Sequence, residues 1–571
     1  MNGAEYIIKF LEDKDVGIIF GYPGGKILSL YDALYRAGEE GGKIRHILTR
    51  HEQGAIHAAE GYAQATKKTG VVFATSGPGA TNLVTGLADA MLDSVPIFAI
   101  TGQVSTSVIG RDAFQEADML GVTLSITKHN YLVRDIKDLA NTLESAWQIA
   151  ASGRRGPVLV DIPANIFDEE IDRSEAKNAK YIPRERKISN SFGEQKKKIE
   201  NLLAGSFRPV ILAGGGVTAS DEAPALMRKF MEKYNIMSAI TLMGKSTVDA
   251  HDPLGLGLAG MHGLPAANRA IAESDLVIAV GTRFSDRTIG NPALFSQTKS
   301  IIHADIDIAE ISKNVKPTVA AVVDSAAFFS HMLEMEIPEI KISQWKKWHR
   351  EIIREKEKQD EKMVFSGKLK MREIVRIVAE LCENRGDISY VTDVGQHQMI
   401  AAQETKHKNP GTFITSGGLG TMGFGLPAAI GAAFGGGASR VVLFSGDGSI
   451  QMNIQELATL KKTPVPVAVF VMDNNRLGMV RQWQKHFYGG RYSQSVLDDN
   501  PEFVAIAAAY GIKGVKISSR KDLAGKIGAI LESGETTLVH CKTDPEENVY
   551  PIIPVGKSNY EMMFVGEVDS R

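Results

Sequence analysis

One forty-residue stretch, VVLFSGDGSIQMNIQELATLKKTPVPVAVFVMDNNRLGMV at 441–480, constrains the fold more than any other part of the chain. The apolar run at 441–444 predicts a buried strand, 450–460 a helix packed on it, and 465–472 a second strand that turns at 473–475. A strand–helix–strand order builds a parallel sheet and brings Asp447 and Asn474 to its carboxyl edge, where open α/β sheets bind ligands. A carboxylate and an amide oxygen there, beside a glycine that lets backbone approach phosphate, suit a magnesium diphosphate. Magnesium takes few protein oxygens and completes its octahedron from phosphate and water. A lone GDG reads more simply as a strand–turn–helix with a surface Asp; the double Asn one strand later favours the metal reading.

At 571 residues the chain exceeds a single core. Alternating strand and helix patterns over 1–167, the middle third (191–340) and 369–540 predict an α/β protein of three doubly wound parallel-sheet domains, followed by a tail at 541–571. Charged stretches separate them: a polar linker at 168–191, and WKKWHREIIREKEKQDEK within 341–368, read as a solvated connecting helix. With 65 basic and 67 acidic residues, nothing marks a nucleic-acid or anionic-membrane binder. A mean hydropathy of −0.09 and the lack of a membrane-length apolar run predict a cytoplasmic chain. Its N-terminus already follows an amphipathic helix pattern rather than a secretory or transit peptide. Cys382 and Cys541 lack metal-ligand spacing and read as reduced core thiols.

The 447/474 pattern resembles the magnesium-diphosphate motif of thiamine-diphosphate enzymes. Such a cofactor needs a buried carboxylate on its aminopyrimidine ring, and RHEQGA at 50–55 offers Glu52 at a strand-to-helix junction. Burial raises a carboxyl pKa and suits proton sharing near neutrality. A capping carboxylate is the plainer reading of HE alone; paired with the diphosphate motif, the catalytic reading prevails.

Further stretches resemble the acetohydroxyacid synthase (acetolactate synthase) large-subunit family over nearly the whole length. They include GYPGG at 21–25, ATSGPGATNLVTGLADA at 74–90, DAFQEAD at 112–118, GMHG at 260–263, RFSDRTIG at 283–290 and TDVGQHQM at 392–399. SGGLGTMGFGLPAAIGA at 416–432, LGMVRQWQ at 477–484 and ENVYPIIPVGKS at 547–558 complete the match. The resemblance implies a transferase that decarboxylates pyruvate on thiamine diphosphate and passes the two-carbon unit to a second 2-ketoacid, pyruvate or 2-ketobutyrate. That is the first common step of branched-chain amino-acid biosynthesis. A sister thiamine lyase or carboligase with a changed 2-ketoacid or diketone is the alternative.

By the same resemblance, Glu52, Gln115, Gly25 and Met422 are catalytic, with Met422 holding the cofactor bent. Tyr22, Pro23, Thr75, Asn82, Gly395, Gln396, His397, Gly420, Gly448, Ser449 and Met479 would bind thiamine diphosphate. Asp447, Asn474 and the Arg476 carbonyl would hold Mg2+. FAD, used structurally, would lie on Arg154, Gly214, Gly215, Thr241, His262, Gly281, Arg283, Asp305 and Asp324. Substrate would meet Phe114, Met261, Arg287, Trp483 and Lys26. The family builds each site across two subunits, so a homodimer is the smallest active unit; a homotetramer and a small regulatory subunit stay open. Four positions depart from the family: Ala164 replaces a usual Lys, Lys26 a small residue, Ser105 a Pro and Ser285 an Asp near the flavin. Lys26 is read as partly restoring the channel charge absent at Ala164.

Overall fold

The computed structural model describes residues 1–171, 192–359 and 365–564. Most of the polar linker read at 168–191, the stretch 360–364 and the last seven residues of the tail lie outside the described residues. Three six-stranded parallel sheets, each flanked by helices, carry the expected α/β architecture. The first comprises β1 (Ile18–Gly21), β2 (Arg45–Leu48), β3 (Gly70–Ala74), β4 (Ile97–Gln103), β5 (His129–Leu132) and β6 (Pro157–Pro163). Its order is β2-β1-β3-β4-β6-β5.

The second sheet comprises β7 (Pro209–Ala213), β8 (Met237–Ile240), β9 (Gly255–Leu258), β10 (Leu276–Val280), β11 (Ser300–Asp305) and β12 (Val319–Val322), in the order β12-β11-β10-β7-β8-β9. The third comprises β13 (Ile388–Thr392), β14 (Phe413–Ile414), β15 (Arg440–Gly446), β16 (Val467–Asp473), β17 (Lys513–Ile517) and β18 (Thr537–Lys542). Its order, β14-β13-β15-β16-β18-β17, repeats that of the first sheet strand for strand. The middle sheet instead has the order that binds dinucleotides in doubly wound folds, with its reversal between β7 and β10.

The runs RVVLFSG and VAVFVMD are buried along their whole length, as parallel strands covered on both faces must be. β15 and β16 pair in parallel from Val441–Val467 to Gly446–Met472, which sets Asp447 and Asp473 side by side just past the last pair. The single helix expected over 450–460 is broken. Asp447–Ile450, a 3-10 turn at Ile454–Glu456 and Leu457–Lys462 replace it. The side chain of Asn453 bonds the Gly423 carbonyl at 2.8 Å, so this residue ties down a turn instead of continuing a helix.

The stretch read as a solvated connecting helix is another correction. Glu339–Gln359 is helical, but Trp345 and Ile352 are fully buried in the middle domain's core. The Trp345 indole donates to the Ser206 carbonyl and that of Trp348 to Glu273. Trp345, Trp348 and Ile352 recur at three- and four-residue spacing and so line one face, whereas the charge run drew attention to the other. Both cysteines are buried and free. No helix among the described residues is long and apolar enough to cross a membrane.

The outer domains meet at a seam between helix Glu52–Thr66 and helix Gly425–Phe434. A Cβ on Gly61 would overlap the Ala428 carbonyl, and one on Gly431 the Ala58 carbonyl, so these helices cross backbone to backbone. The catalytic candidate Glu52 opens one of them.

Candidate functional site

In a doubly wound sheet, ligands sit where the strand order reverses. For the first sheet that point lies between β1 and β3, and the loops there are Tyr22-Pro23-Gly24-Gly25 and Thr75-Ser76-Gly77. Glu52 follows β2 on the same edge as the first residue of its helix and is 8% exposed. Asn82 donates to its carboxylate at 2.9 Å. A Cβ on Gly79 would lie 3.3 Å from the same carboxylate and 2.7 Å from the Thr75 methyl. The Thr75 hydroxyl accepts the Lys26 amide at 3.2 Å, which starts the turn at Gly25. Gln115 sits at φ +63 with its backbone against Gly77, and beside it Phe114 is 84% exposed. Tyr22, Pro23 and Gly25 are exposed as well.

The third sheet reverses between β13 and β15, and a second cradle occupies that point. Asp447 is buried and accepts Asn500 at 2.7 Å. Burial, reinforced by the Asp473 carboxylate, pushes its carboxyl up to about 7. Asp473 moves the other way: burial opposes its charge, but hydrogen bonds from His540 and Lys542 hold it well below the usual range. Asn474 donates to Gln396 at 3.2 Å, and its carbonyl oxygen accepts the Arg476 amide. Gln396 in turn donates to Gln482 and to the Glu547 carbonyl. His397 is buried, kept neutral by burial with its pKa pushed down to about 3, and its Nε2 has no partner. Ser449 receives the Gly446 amide, and a Cβ on Gly448 would stand 3.7 Å from the Met422 methyl.

A cavity of about 1660 Å3 runs from the reversal of the middle sheet to this second cradle. Gly395, Gly420, Met422 and Met479 line its C-terminal wall. Arg154, Thr241, His262, Gly281, Arg283, Asp305 and Asp324 line the middle-domain side. Gly215 and Gly216 face the cavity, but Gly214 does not; its Cβ position is filled by the Gly281 carbonyl. Burial raises the Asp305 carboxyl to about 6. Arg154 is held by Asp307 and Glu310, and Asp324 caps the helix Ser325–Leu333.

Met261, Arg287 and Trp483 meet in the same cavity. The Arg287 guanidinium lies 5.7 Å from the Trp483 ring and 3.3 Å from the Met261 sulfur. Ser285, one of the departures, accepts the Arg287 amide and caps its turn. The tail clamps this group from above. Val549 exchanges two hydrogen bonds with the Gln482 side chain, Ile553 donates to Met261, and Asn559 donates to the Thr288 carbonyl.

The residues singled out in the sequence therefore fall into a Glu52 cradle and an Asp447–Asn474 cradle that opens on the cavity. Lys26 and Phe114 belong to the Glu52 cradle and do not line the cavity with Arg287. Among the described residues, no hydrogen bond joins Glu52 to Asp447, Asn474 or Met422. Sequence reasoning missed Asn500, Asp473 and Glu456, which are tied to one another or to the two cradles by bonds spanning 27 to 406 positions. Asp473 could have been found, because it flanks Asn474 at the end of an apolar run; the other two carry no local signal.

Residues 1–122 match the thiamine pyrophosphate enzyme N-terminal TPP binding domain, 197–332 its central domain and 393–541 its C-terminal TPP binding domain. The acetolactate synthase isozyme 2 large subunit of Escherichia coli (strain K12) is 43% identical over 99% of this chain and 99% of its own. The acetolactate synthase large subunit of Lactococcus lactis subsp. lactis (strain IL1403) is also 43% identical, over 98% and 96%. That of Parasynechococcus marenigrum (strain WH8102) is 42% identical over 99% and 91%. Two repeated sheets that each present a cradle, a dinucleotide-type sheet between them and full-length identity of this size lead to one conclusion: the chain belongs to the thiamine pyrophosphate enzymes, in the acetolactate synthase large-subunit family.

Proposed function

We propose that the chain is the catalytic subunit of an acetolactate synthase, which joins pyruvate to a second 2-ketoacid with loss of carbon dioxide. The observation that carries this reading is the Arg287–Trp483–Met261 cluster, set in one cavity with Met422 and Gly420 of the diphosphate cradle. When bound, thiamine diphosphate supplies the nucleophilic carbon and the electron sink. The residues fit it: His397 Nε2 and the Thr421 hydroxyl are buried without partners, and the Gly448 and Ser449 amides open a turn at the sheet edge. Asp447, the Asn474 amide oxygen and the Arg476 carbonyl would hold Mg2+, a donor set of hard oxygens that suits it.

Glu52 would hold and return a proton at the pyrimidine ring, with Asn82 fixing its carboxylate. Because the Glu52 cradle is separate from the cavity, a second copy of the chain would complete each site, which accounts for the exposed Phe114 and Tyr22. Arg287 would orient the acceptor carboxylate. Among the described residues its carboxylate neighbour is the exposed Asp286 at 3.8 Å, so its planar fork is available for a bidentate contact. Trp483 would shape the acceptor's alkyl pocket, and the tail would exclude water. FAD would occupy the middle-domain end of the cavity, whose strand order and close glycine contact at Gly214 and Gly281 suit a dinucleotide.

Lys26 and Ala164 lie near each other at the edge of the first sheet, although neither lines the cavity. The Lys26 carbonyl abuts Gly102, whose strand partner Ile162 lies two residues before Ala164, and Ser105 bonds the adjoining Asn165. The test is acetolactate formation from pyruvate with thiamine diphosphate and Mg2+, with and without FAD. FAD-dependent product is expected. Cofactor binding without acetolactate would overturn the substrate assignment in favour of a sister carboligase.

A further inference from the structure

Glu456 lies nine residues after Asp447, at the end of the 3-10 turn that replaces the expected helix. It is fully buried, yet its carboxylate reaches out of its own domain. Its Oε1 and Oε2 accept the backbone amide of Arg50 at 2.9 and 3.2 Å. Arg50 and His51 are the two residues before Glu52, and His51 is the N-cap of the Glu52 helix. The Thr459 hydroxyl donates to the carboxylate at 2.6 Å and lies 3.3 Å from the Leu48 carbonyl at the end of β2. Gly54, two residues after Glu52, has no room for a side chain because a Cβ would overlap the Glu456 carboxylate. The turn carrying Glu52 is thus gripped on both sides by one acidic residue of the other domain.

We propose that Glu456 is a positioning residue for Glu52, holding the strand-to-helix turn in the one register that aims Glu52 at the pyrimidine. A backbone amide taken out of water needs an acceptor, and the Arg50 amide, which precedes the N-cap His51, finds it in the other domain and not in a local cap. Taking the acceptor from the segment that carries Asp447 makes the Glu52 turn rigid with the metal edge of its own chain. If sites are shared between two chains, this joint links the metal edge of one site to the proton-handling carboxylate of the other. The inference rests on the reading of Glu52 as the group that activates thiamine diphosphate.

The test uses full-length wild type, Glu456→Gln and Gly54→Ala, each saturated with thiamine diphosphate and Mg2+. Gln keeps the size but loses the two-oxygen acceptor; Gly54→Ala displaces the carboxylate while leaving Glu456 intact. Deuterium exchange at the thiazolium C2 of the bound cofactor is measured by rapid acid quench, alongside cofactor affinity, KM for pyruvate and Tm. Both variants should slow exchange by about tenfold or more, with kcat falling in step and KM and cofactor affinity near wild type. A merely structural cap would lower Tm and leave C2 exchange at the wild-type rate, which overturns the proposal. A wild type that does not accelerate exchange overturns the Glu52 reading itself, so the two failures are distinguishable.

Discussion

The first and third sheets share one strand order but hold their cradles in different ways. The C-terminal cradle is braced from within: Asp447, Asn500, Asp473 and His540 form one bonded chain, and Asn474, Gln396 and Gln482 form another, all inside one domain. Among the described residues, the N-terminal cradle has a single side-chain bond to its carboxylate, from Asn82, and takes the support of its turn from Glu456 across the seam. On the proposed reading, a highly charged metal and diphosphate would need fixed ligands in number, so internal bracing suits that edge, and a carboxylate that is to exchange a proton with a ring would be better left with few partners and placed by its backbone. Exchange also runs the other way across the seam. Asp89 of the first domain accepts the Ser416 hydroxyl, and Ser416 accepts the amides of Gly420 and Thr421, the residues just before Met422.

The sharpest way to break this comparison is to disable one cradle per chain. At a Mg2+ concentration just sufficient for wild type, Glu52→Gln and Asp447→Asn chains should each be almost inactive, but mixing them under conditions of subunit exchange should restore about a quarter of wild-type acetolactate formation if sites are built across a two-fold interface. A site built within one chain would give no recovery. Taken alone, Glu52→Gln should lower kcat by roughly 10²–10⁴-fold, the range for a lost proton-transfer group, with cofactor affinity kept. Asp447→Asn should instead shift the Mg2+ titration of activity to higher concentration, because the oxygen donor set loses its charge. Chelation by EDTA should abolish wild-type activity and added Mg2+ restore it. A smaller effect is expected from Arg287→Lys, which keeps charge but loses the fork: acceptor saturation should weaken by about 1.5–3 kcal/mol, read as a rise in KM above that in kcat loss.

How much of this was legible depended on sequence distance. The 441–480 stretch exposed its strands because both runs are buried on both faces, and glycine and asparagine punctuate the turns between them. Asp447 and Asn474 could be placed on one edge because strand order follows from the strand–helix–strand pattern alone. The helix over 450–460 was misread because an apolar periodicity does not reveal that Asn453 bonds Gly423, thirty residues upstream. The charged stretch at 341–368 was misread because composition averages over faces, whereas Trp345 and Ile352 bury one stripe. The bond from Glu456 to Arg50 spans 406 positions, and nothing within either stretch signals it. Cradles are local and readable; the braces between domains are products of packing.

The most delicate test concerns the brace running from the first domain to the third. Asp89 is buried beside His57, Glu60 and Asp93, with Ser416 donating to it from the other domain, and its carboxyl is pushed up to about 9 by burial first and by Glu60 and Asp93 next. The folded chain therefore keeps a proton there that the unfolded chain has released above about pH 4. The folded state binds more protons throughout the window between these values, so stability is full below it and declines as pH rises through it, at up to about 1.4 kcal/mol per pH unit. Asp89→Asn mimics the protonated acid and still accepts the Ser416 hydroxyl. The variant should come closest to wild type in Tm at pH 4 and below, lose less Tm between pH 5 and 9, and keep kcat, because Met422 stays where it was. Parallel Tm–pH curves for the two proteins would mean that Asp89 is ionised in the folded chain and that the proton lies elsewhere in the cluster, with Glu60, also raised by burial, as the next residue to change.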